Sequence, residues 1–95
     1  MNDQELFSKN VTLSTEFNKY LIEHPEFAEQ IPDEAVVILL PADDPELCQE
    51  NLRLAERNRQ VDDVPDRPVV HVKIERLAPP PPSRLVNPSV ELIRR

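Results

Sequence analysis

The spacing of apolar side chains predicts a long helix over residues 4–24. They recur at three-, four- and seven-residue intervals, as on one face of a helix. This stripe consists of Leu6, Leu13, Phe17, Tyr20 and Leu21, and it is widened by Phe7 and Val11. Pro25 predicts that the helix ends at His24, where an imidazolium would meet the negative end of the helix dipole. Residues 26–30 are expected to add one further turn.

Six consecutive apolar residues, 35–40, form the first predicted strand. The run is too short to cross a membrane, and its β-branched residues favour a strand buried on both faces. Asp44 and Pro45 have the residue types of an N-cap and a first helical turn, so a second helix is predicted over about residues 45–60. Its apolar face consists of Leu47, Cys48, Leu52 and Ala55, with Leu54 beside it.

Residues 68–77 alternate between apolar and polar types and predict the second strand. Val70, Val72 and Ile74 would face the core, while the charged side chains between them would face solvent, as at the edge of a sheet. Strand, helix and strand in this order form a crossover with parallel strands. The predicted fold class is therefore α/β, with a helix–strand–helix–strand body and a small, mostly parallel sheet of two strands.

The apolar edge of the first strand needs cover, because unpaired strand edges associate with other chains. The terminal segment 89–93 could supply it as a third strand, and so could a second copy of the chain. We therefore predict a homodimer, in one form of which the tails are exchanged.

Two regions are expected along the chain: one α/β domain over residues 1–77, and a proline-rich linker with a basic tail over 78–95. Pro79–Pro82 should be extended and semi-rigid. A spacer is favoured for this stretch over a proline-rich ligand for an aromatic groove.

Charge is divided unevenly along the chain. Residues 1–66 carry five basic and sixteen acidic side chains, whereas residues 67–95 carry six basic and two acidic ones. An acidic body repels nucleic acid and anionic membranes, while a basic tail can lie across an acidic surface, its own or a partner's. With three Phe, one Tyr and no Trp, the chain also offers few rings for stacking bases. Nucleic-acid binding is therefore disfavoured.

Glycine is absent and cysteine occurs once, which narrows the possible chemistry further. Glycine-rich phosphate loops are excluded, and so are intrachain disulfides. The acidic start of the chain lacks the features of a signal peptide, so a cytoplasmic protein without membrane contact is expected.

Several motifs give the chain a resemblance to known proteins. They are Leu6-Phe-Ser-Lys-Asn10, Glu16-Phe-Asn-Lys-Tyr20-Leu, His24-Pro-Glu-Phe27, Ile31-Pro and Leu40-Pro-Ala-Asp-Asp-Pro-Glu-Leu47. Over residues 4–77 the chain resembles a family of small prokaryotic proteins of unknown function. The resemblance implies a prokaryotic, cytosolic setting and the same body of two helices and two strands. It assigns no functional residue.

Cys48 is the one candidate nucleophile. A helix N-terminus lowers a thiol pKa, but neighbouring carboxylates raise it, and the position lies on the predicted buried face. The two histidines, His24 and His71, have no sequence-visible reason to approach it. The acidic clusters at 43–46 and 62–66 lack the ligand spacing of a calcium loop. We therefore predict no catalytic residue, no metal site and no cofactor.

The junction between the first strand and the second helix is the predicted partner-binding site, since ligands of open α/β sheets bind there. Its carboxylates, Asp43, Asp44 and Glu46, favour a basic group. The candidates from the tail are Arg84, Arg94 and Arg95.

Two functions from different classes remain open. The favoured one is a non-enzymatic module that binds a protein partner, such as an antitoxin-like or regulatory subunit. The alternative is a small enzyme or ligand-binding protein that uses the 41–48 loop with Cys48.

Overall fold

A computed structural model describes residues 1–64 and 66–93 and confirms the predicted order of elements. They are α1 (Asp3–Glu23), α2 (Pro25–Ala28), β1 (Val36–Pro41), α3 (Pro45–Gln60) and β2 (Val69–Ile74). The two strands pair in parallel, with Val36 opposite Val69 and Pro41 opposite Ile74. The fold class is α/β with a two-stranded sheet, as predicted.

α1 begins and ends at side-chain and backbone caps. The Asn2 side chain accepts a hydrogen bond from the Glu5 backbone N–H at 2.8 Å, and the His24 backbone N–H donates to the Tyr20 carbonyl oxygen. Within α1, Leu13 is buried, whereas Phe7 and Val11 are 71% and 47% exposed. Their inclusion in the apolar stripe was wrong. The α-helical repeat places Val11 about 160° and Phe7 about 120° around the helix from Leu13.

β1 packs against α3, and its burial is uneven. Ile38 and Pro41 are buried, while the other four residues of the strand are only half-buried. The predicted burial of β1 on both faces was therefore wrong. In a sheet of two strands, each strand lacks a neighbouring strand along one edge. Water reaches β1 along that edge, so most of its residues keep part of their surface exposed.

α3 has the predicted bounds. The Asp44 carboxylate accepts a hydrogen bond from the Leu47 backbone N–H at 3.2 Å, and Pro45 occupies the first turn. Leu47 is 2% exposed and forms part of the core, but Leu52 and Leu54 are exposed. The other buried residue of this helix is polar: Asn51, which the apolar pattern had left out.

Arg67 connects the segments that precede the two strands. Its guanidinium donates to the Asp62 carboxylate at 2.9 Å and to the Glu34 carbonyl oxygen at 3.0 Å. Glu34 has φ 61°, a left-handed conformation that glycine usually adopts and that this glycine-free chain gives to a glutamate. The hydrogen bond to Arg67 stabilises this turn just before β1.

Residues 75–93 contain neither helix nor strand, and the part after Leu77 is extended. The Cα radius of gyration is 18.3 Å. A compact domain of this length would have about 12 Å. The terminal segment 89–93 therefore does not form the third strand that the sequence suggested. Five large apolar side chains of the tail are exposed: Leu85, Val86, Val90, Leu92 and Ile93.

Within the described ranges, no helix combines the length and the apolar character that crossing a bilayer requires.

Candidate functional site

The carboxylates at the junction of β1 and α3 bind the beginning of the same chain. The Lys9 ammonium lies 2.8 Å from the Asp44 carboxylate, and the N-terminal ammonium of Met1 lies 2.6 Å from that of Glu46. We call these two ion pairs the N-terminal clamp, because they attach α1 to the first turn of α3. Asp43, the third predicted partner-binding carboxylate, is exposed.

The ion pair between Lys9 and Asp44 shifts the pKa of both groups. The hydrogen bond from Lys9, followed by that from the Leu47 backbone, lowers the pKa of Asp44 below its ordinary value of 3.8. The same hydrogen bond raises the pKa of Lys9. The fold thus favours the charged form of both groups.

We expect Asp44→Asn to make the stability of the protein less dependent on acid. A carboxylate whose pKa is lowered by folding stabilises the fold above its unfolded pKa, and the stabilisation is lost as the pH falls through the folded value. Thermal unfolding between pH 6 and pH 3 should therefore show the parent losing its advantage over the variant as the pH drops below about 4. Asn at this position can still cap α3.

Asp43→Asn is the matched control, since Asp43 is the exposed neighbour of Asp44. It should leave the acid dependence of the parent unchanged. Equal pH profiles for Asp44→Asn and the parent would show that the charge of Asp44, which pairs with Lys9, does not stabilise the fold.

Asn51 connects three elements of the body, and the sequence prediction missed it. Its side-chain oxygen accepts a hydrogen bond from the Asn10 amide at 2.8 Å, and its amide donates to the Leu39 carbonyl oxygen at 2.9 Å. α1, α3 and β1 are thus linked through one side chain. The available signal was the position of Asn51, one helical turn after Leu47 on the apolar face, where a polar residue needs partners.

Cys48 belongs to α3 and is half-buried beside the end of β1. Its thiol donates a hydrogen bond to the Pro41 carbonyl oxygen at 3.0 Å. Burial raises the pKa of this thiol, and the charges of Asp44 and Asp43 raise it further. A thiol that is protonated and already a donor is a poor nucleophile. The geometry therefore gives no support to the alternative of a small enzyme at the 41–48 loop.

Both histidines are distant in sequence from the 41–48 loop, and each has other contacts or an exposed position. The His24 ring stacks on Tyr20 with ring centroids 3.9 Å apart, and its Nδ1 lies 3.0 Å from the Tyr20 carbonyl oxygen. His71 is exposed on β2. In the part of the chain that the structure describes, no three His, Cys, Asp or Glu side chains form a group that could hold a metal ion.

The two edges of the sheet differ. Hydrogen bonds from Val36 N–H to Pro68 and from Ala42 N–H to Ile74 show that the even-numbered residues of β1 face β2. The odd-numbered residues therefore face outward. Of their three carbonyls, those of Leu39 and Pro41 accept hydrogen bonds from α3 side chains.

Among the described residues no third strand pairs with the outer edge of β1, while pairing of this edge with a second copy stays a prediction. α3 side chains already bond to that edge, and Pro41 has no N–H to offer. The outer edge of β2, with the outward-facing backbone of Val69, His71 and Lys73, is the one without such cover among the described residues.

A groove of about 360 Å³ follows the edge of β2. Its apolar lining comes from α1, α2, β2 and the residues after β2: Leu13, Phe17, Tyr20, Phe27, Val72, Ile74 and Leu77. Three charged residues also line it, Glu16, Lys73 and Arg76. The sequence prediction did not foresee this groove, because its lining combines helix and strand residues that had each been assigned to a closed core.

The predicted basic site residues lie in the tail or beyond the described ranges. Arg84 is exposed and follows the polyproline stretch, far along the chain from Asp43 and Asp44. Arg94 and Arg95 lie outside the described residues, so their predicted role in partner binding stays a prediction.

A family model matches residues 5–88 of the chain, and its family is described as a family of unknown function (DUF5647). No curated protein and no solved structure gave a significant match to the chain.

Proposed function

Because the chain belongs to a family of unknown function (DUF5647), its role has to be inferred from its own surface, and we propose a non-enzymatic module that binds protein segments. The observation that carries this proposal is the apolar groove beside the uncovered edge of β2. Such an edge accepts an extended segment through backbone hydrogen bonds, and adjacent apolar pockets select its side chains.

The tail gives independent support. It carries five exposed, large apolar side chains beyond four consecutive prolines, and Val90 is 98% exposed. Apolar side chains that cluster on a surface or a tail are a mark of interaction sites. The protein thus has both an accepting groove and a segment suited to docking.

We also propose a cellular location and a role for the module. We place it in the cytoplasm of a prokaryote as a regulatory or antitoxin-like subunit. The acidic body, with a net charge of −7 for the whole chain, favours protein over nucleic-acid partners. The exposed Arg84 of the tail is suited to an acidic surface on the partner.

The test compares Leu77→Asp with Leu54→Asp in the native cell. Leu77 lines the groove and is 40% exposed, while Leu54 on α3 is 38% exposed and outside the groove, so the two substitutions are matched. After crosslinking in intact cells, the parent and Leu54→Asp should be recovered in assemblies larger than one chain. Leu77→Asp should reduce that fraction by about tenfold, as for the loss of a central interface contact.

Recovery of the parent as single chains, or equal assembly by both variants, would contradict the proposal. Circular dichroism of the purified variants checks that each retains its helices.

A further inference from the structure

The free edge of β2 and the tail share an alternation of apolar and charged residues, and the charged residues have opposite signs. Resting on the proposed function, we infer that residues 89–93 of a second copy of this chain add to β2 as a third strand and fill the groove. The assembly is then a dimer in which each chain donates its tail to the other.

The backbone of β2 is suited to this addition. In the parallel pairing with β1, the N–H groups of Val70, Val72 and Ile74 face β1. The N–H and C=O groups of the alternate residues, His71 and Lys73 among them, therefore face outward. Lys73 also lines the groove, which places the groove along this edge.

Side-chain alternation fixes the register of the added strand. Val72 and Ile74 line the groove. The alternation of a strand directs the intervening Lys73 side chain to the other face of the sheet, so Lys73 borders the groove through its outward-facing backbone. Val90 and Leu92 have the same two-residue spacing, with Glu91 between them. Setting Glu91 opposite Lys73 sends both apolar side chains into the groove and pairs the two opposite charges on the other face.

The apolar side chains of residues 89–93 are exposed, as expected for an unpaired strand. Val90, Leu92 and Ile93 are all more than half exposed. Pro88, which cannot donate a backbone hydrogen bond, lies just before the segment and would not interrupt its ladder. Docking would remove these apolar side chains from water.

The polyproline stretch favours a second copy over the chain's own groove. The chain leaves the groove at Leu77, and Pro79–Pro82 then hold an extended course of about 12 Å with limited bending. The tail is thereby carried away from its own β2 edge, in agreement with the radius of gyration of 18.3 Å. Two chains that exchange tails each fill one groove and supply one strand.

A charge-swap experiment on the purified full-length chain tests this directly. Lys73→Glu and Glu91→Lys each place like charges opposite one another at both sites of the homodimer. Each variant alone should raise the dimer dissociation constant about tenfold in sedimentation experiments. Mixing the two variants should restore association, since both sites of the heterodimer then pair opposite charges.

A second substitution tests the apolar contact. Val90→Asp places a charge in the groove and should weaken the dimer by about thirtyfold or more. Val61→Asp is its control, because Val61 is an exposed valine at the end of α3, outside both the tail and the groove. It should leave the dimer intact.

Three results would overturn the inference: a parent that stays monomeric, a dimer indifferent to Val90→Asp, or single variants that mixing fails to restore. The last outcome would mean that Lys73 and Glu91 do not face each other across the dimer. A separate result distinguishes the dimer from the proposed function. If the purified chain is a monomer while its assemblies in cells depend on Leu77, the module binds a different protein and only the dimer is refuted.

Discussion

Leu47→Ala is expected to lower the free energy of unfolding by about 2–5 kcal/mol, the range for truncating a buried leucine. Leu47 is 2% exposed and is one of the few buried apolar residues of the described chain, together with Leu13, Ile38 and Val72. A domain of this size is stable by only about 5–15 kcal/mol. With so small a core, the variant should lose a large part of its stability.

Urea unfolding followed by circular dichroism measures this loss. Leu54→Ala is the matched control, since it is the same substitution in the same helix at a residue that is 38% exposed. We expect a change of less than about 1 kcal/mol there, because little apolar area is exchanged. Similar losses for the two variants would mean that α3 does not pack through Leu47.

Asn51→Ala is expected to cost about 1–3 kcal/mol, since a buried carbonyl and a side-chain amide both lose their partners. The Leu39 carbonyl would lose the donor at 2.9 Å, and the Asn10 amide would lose the acceptor at 2.8 Å. No other side chain in the described residues links these three elements in this way. The loss should therefore also loosen α1.

Hydrogen exchange separates this effect from a general destabilisation. In Asn51→Ala, amides of α1 should exchange faster relative to those of α3 than in the parent, because the link between the two helices is cut. Asn58→Ala, at an exposed position of the same helix, is the control. Uniformly faster exchange across both helices would argue against a linking role for Asn51.

Local signals in the sequence were enough to predict the elements. Asp44 and Pro45 defined the start of α3, since an N-cap carboxylate and a first-turn proline are each favoured there by backbone geometry. The alternation around Val72 defined β2 and its position at an edge. These features depend on neighbouring residues, so they can be derived without knowledge of the tertiary structure.

Contacts between distant residues could not be predicted in the same way. Asp44 was predicted to attract a basic partner, and the basic group that it binds is Lys9, 35 residues away along the same chain. Residue types alone show that the carboxylate prefers a cation but not which cation is nearest. Phe7 was assigned to the core for a related reason: a periodic pattern does not state how wide the covered face will be.

The location of the open edge was also beyond the sequence. β1 is the more apolar strand, so it was expected to need the cover, yet α3 provides that cover through polar atoms of Asn51 and Cys48. β2 has the charged side chains that usually protect an edge, and its edge is the one beside the groove. Which edge is free depends on where the helices pack.

The bonding of β1 to α3 has a consequence for aggregation. Fibres made of stacked sheets grow only when every unit can pair on both sides. Here two of the three outward carbonyls of β1 are occupied from within the same body, and Pro41 cannot donate. Edge-to-edge growth through the carboxyl-terminal half of β1 is therefore hindered, which lowers the risk of polymerisation for a chain that keeps the edge of β2 accessible.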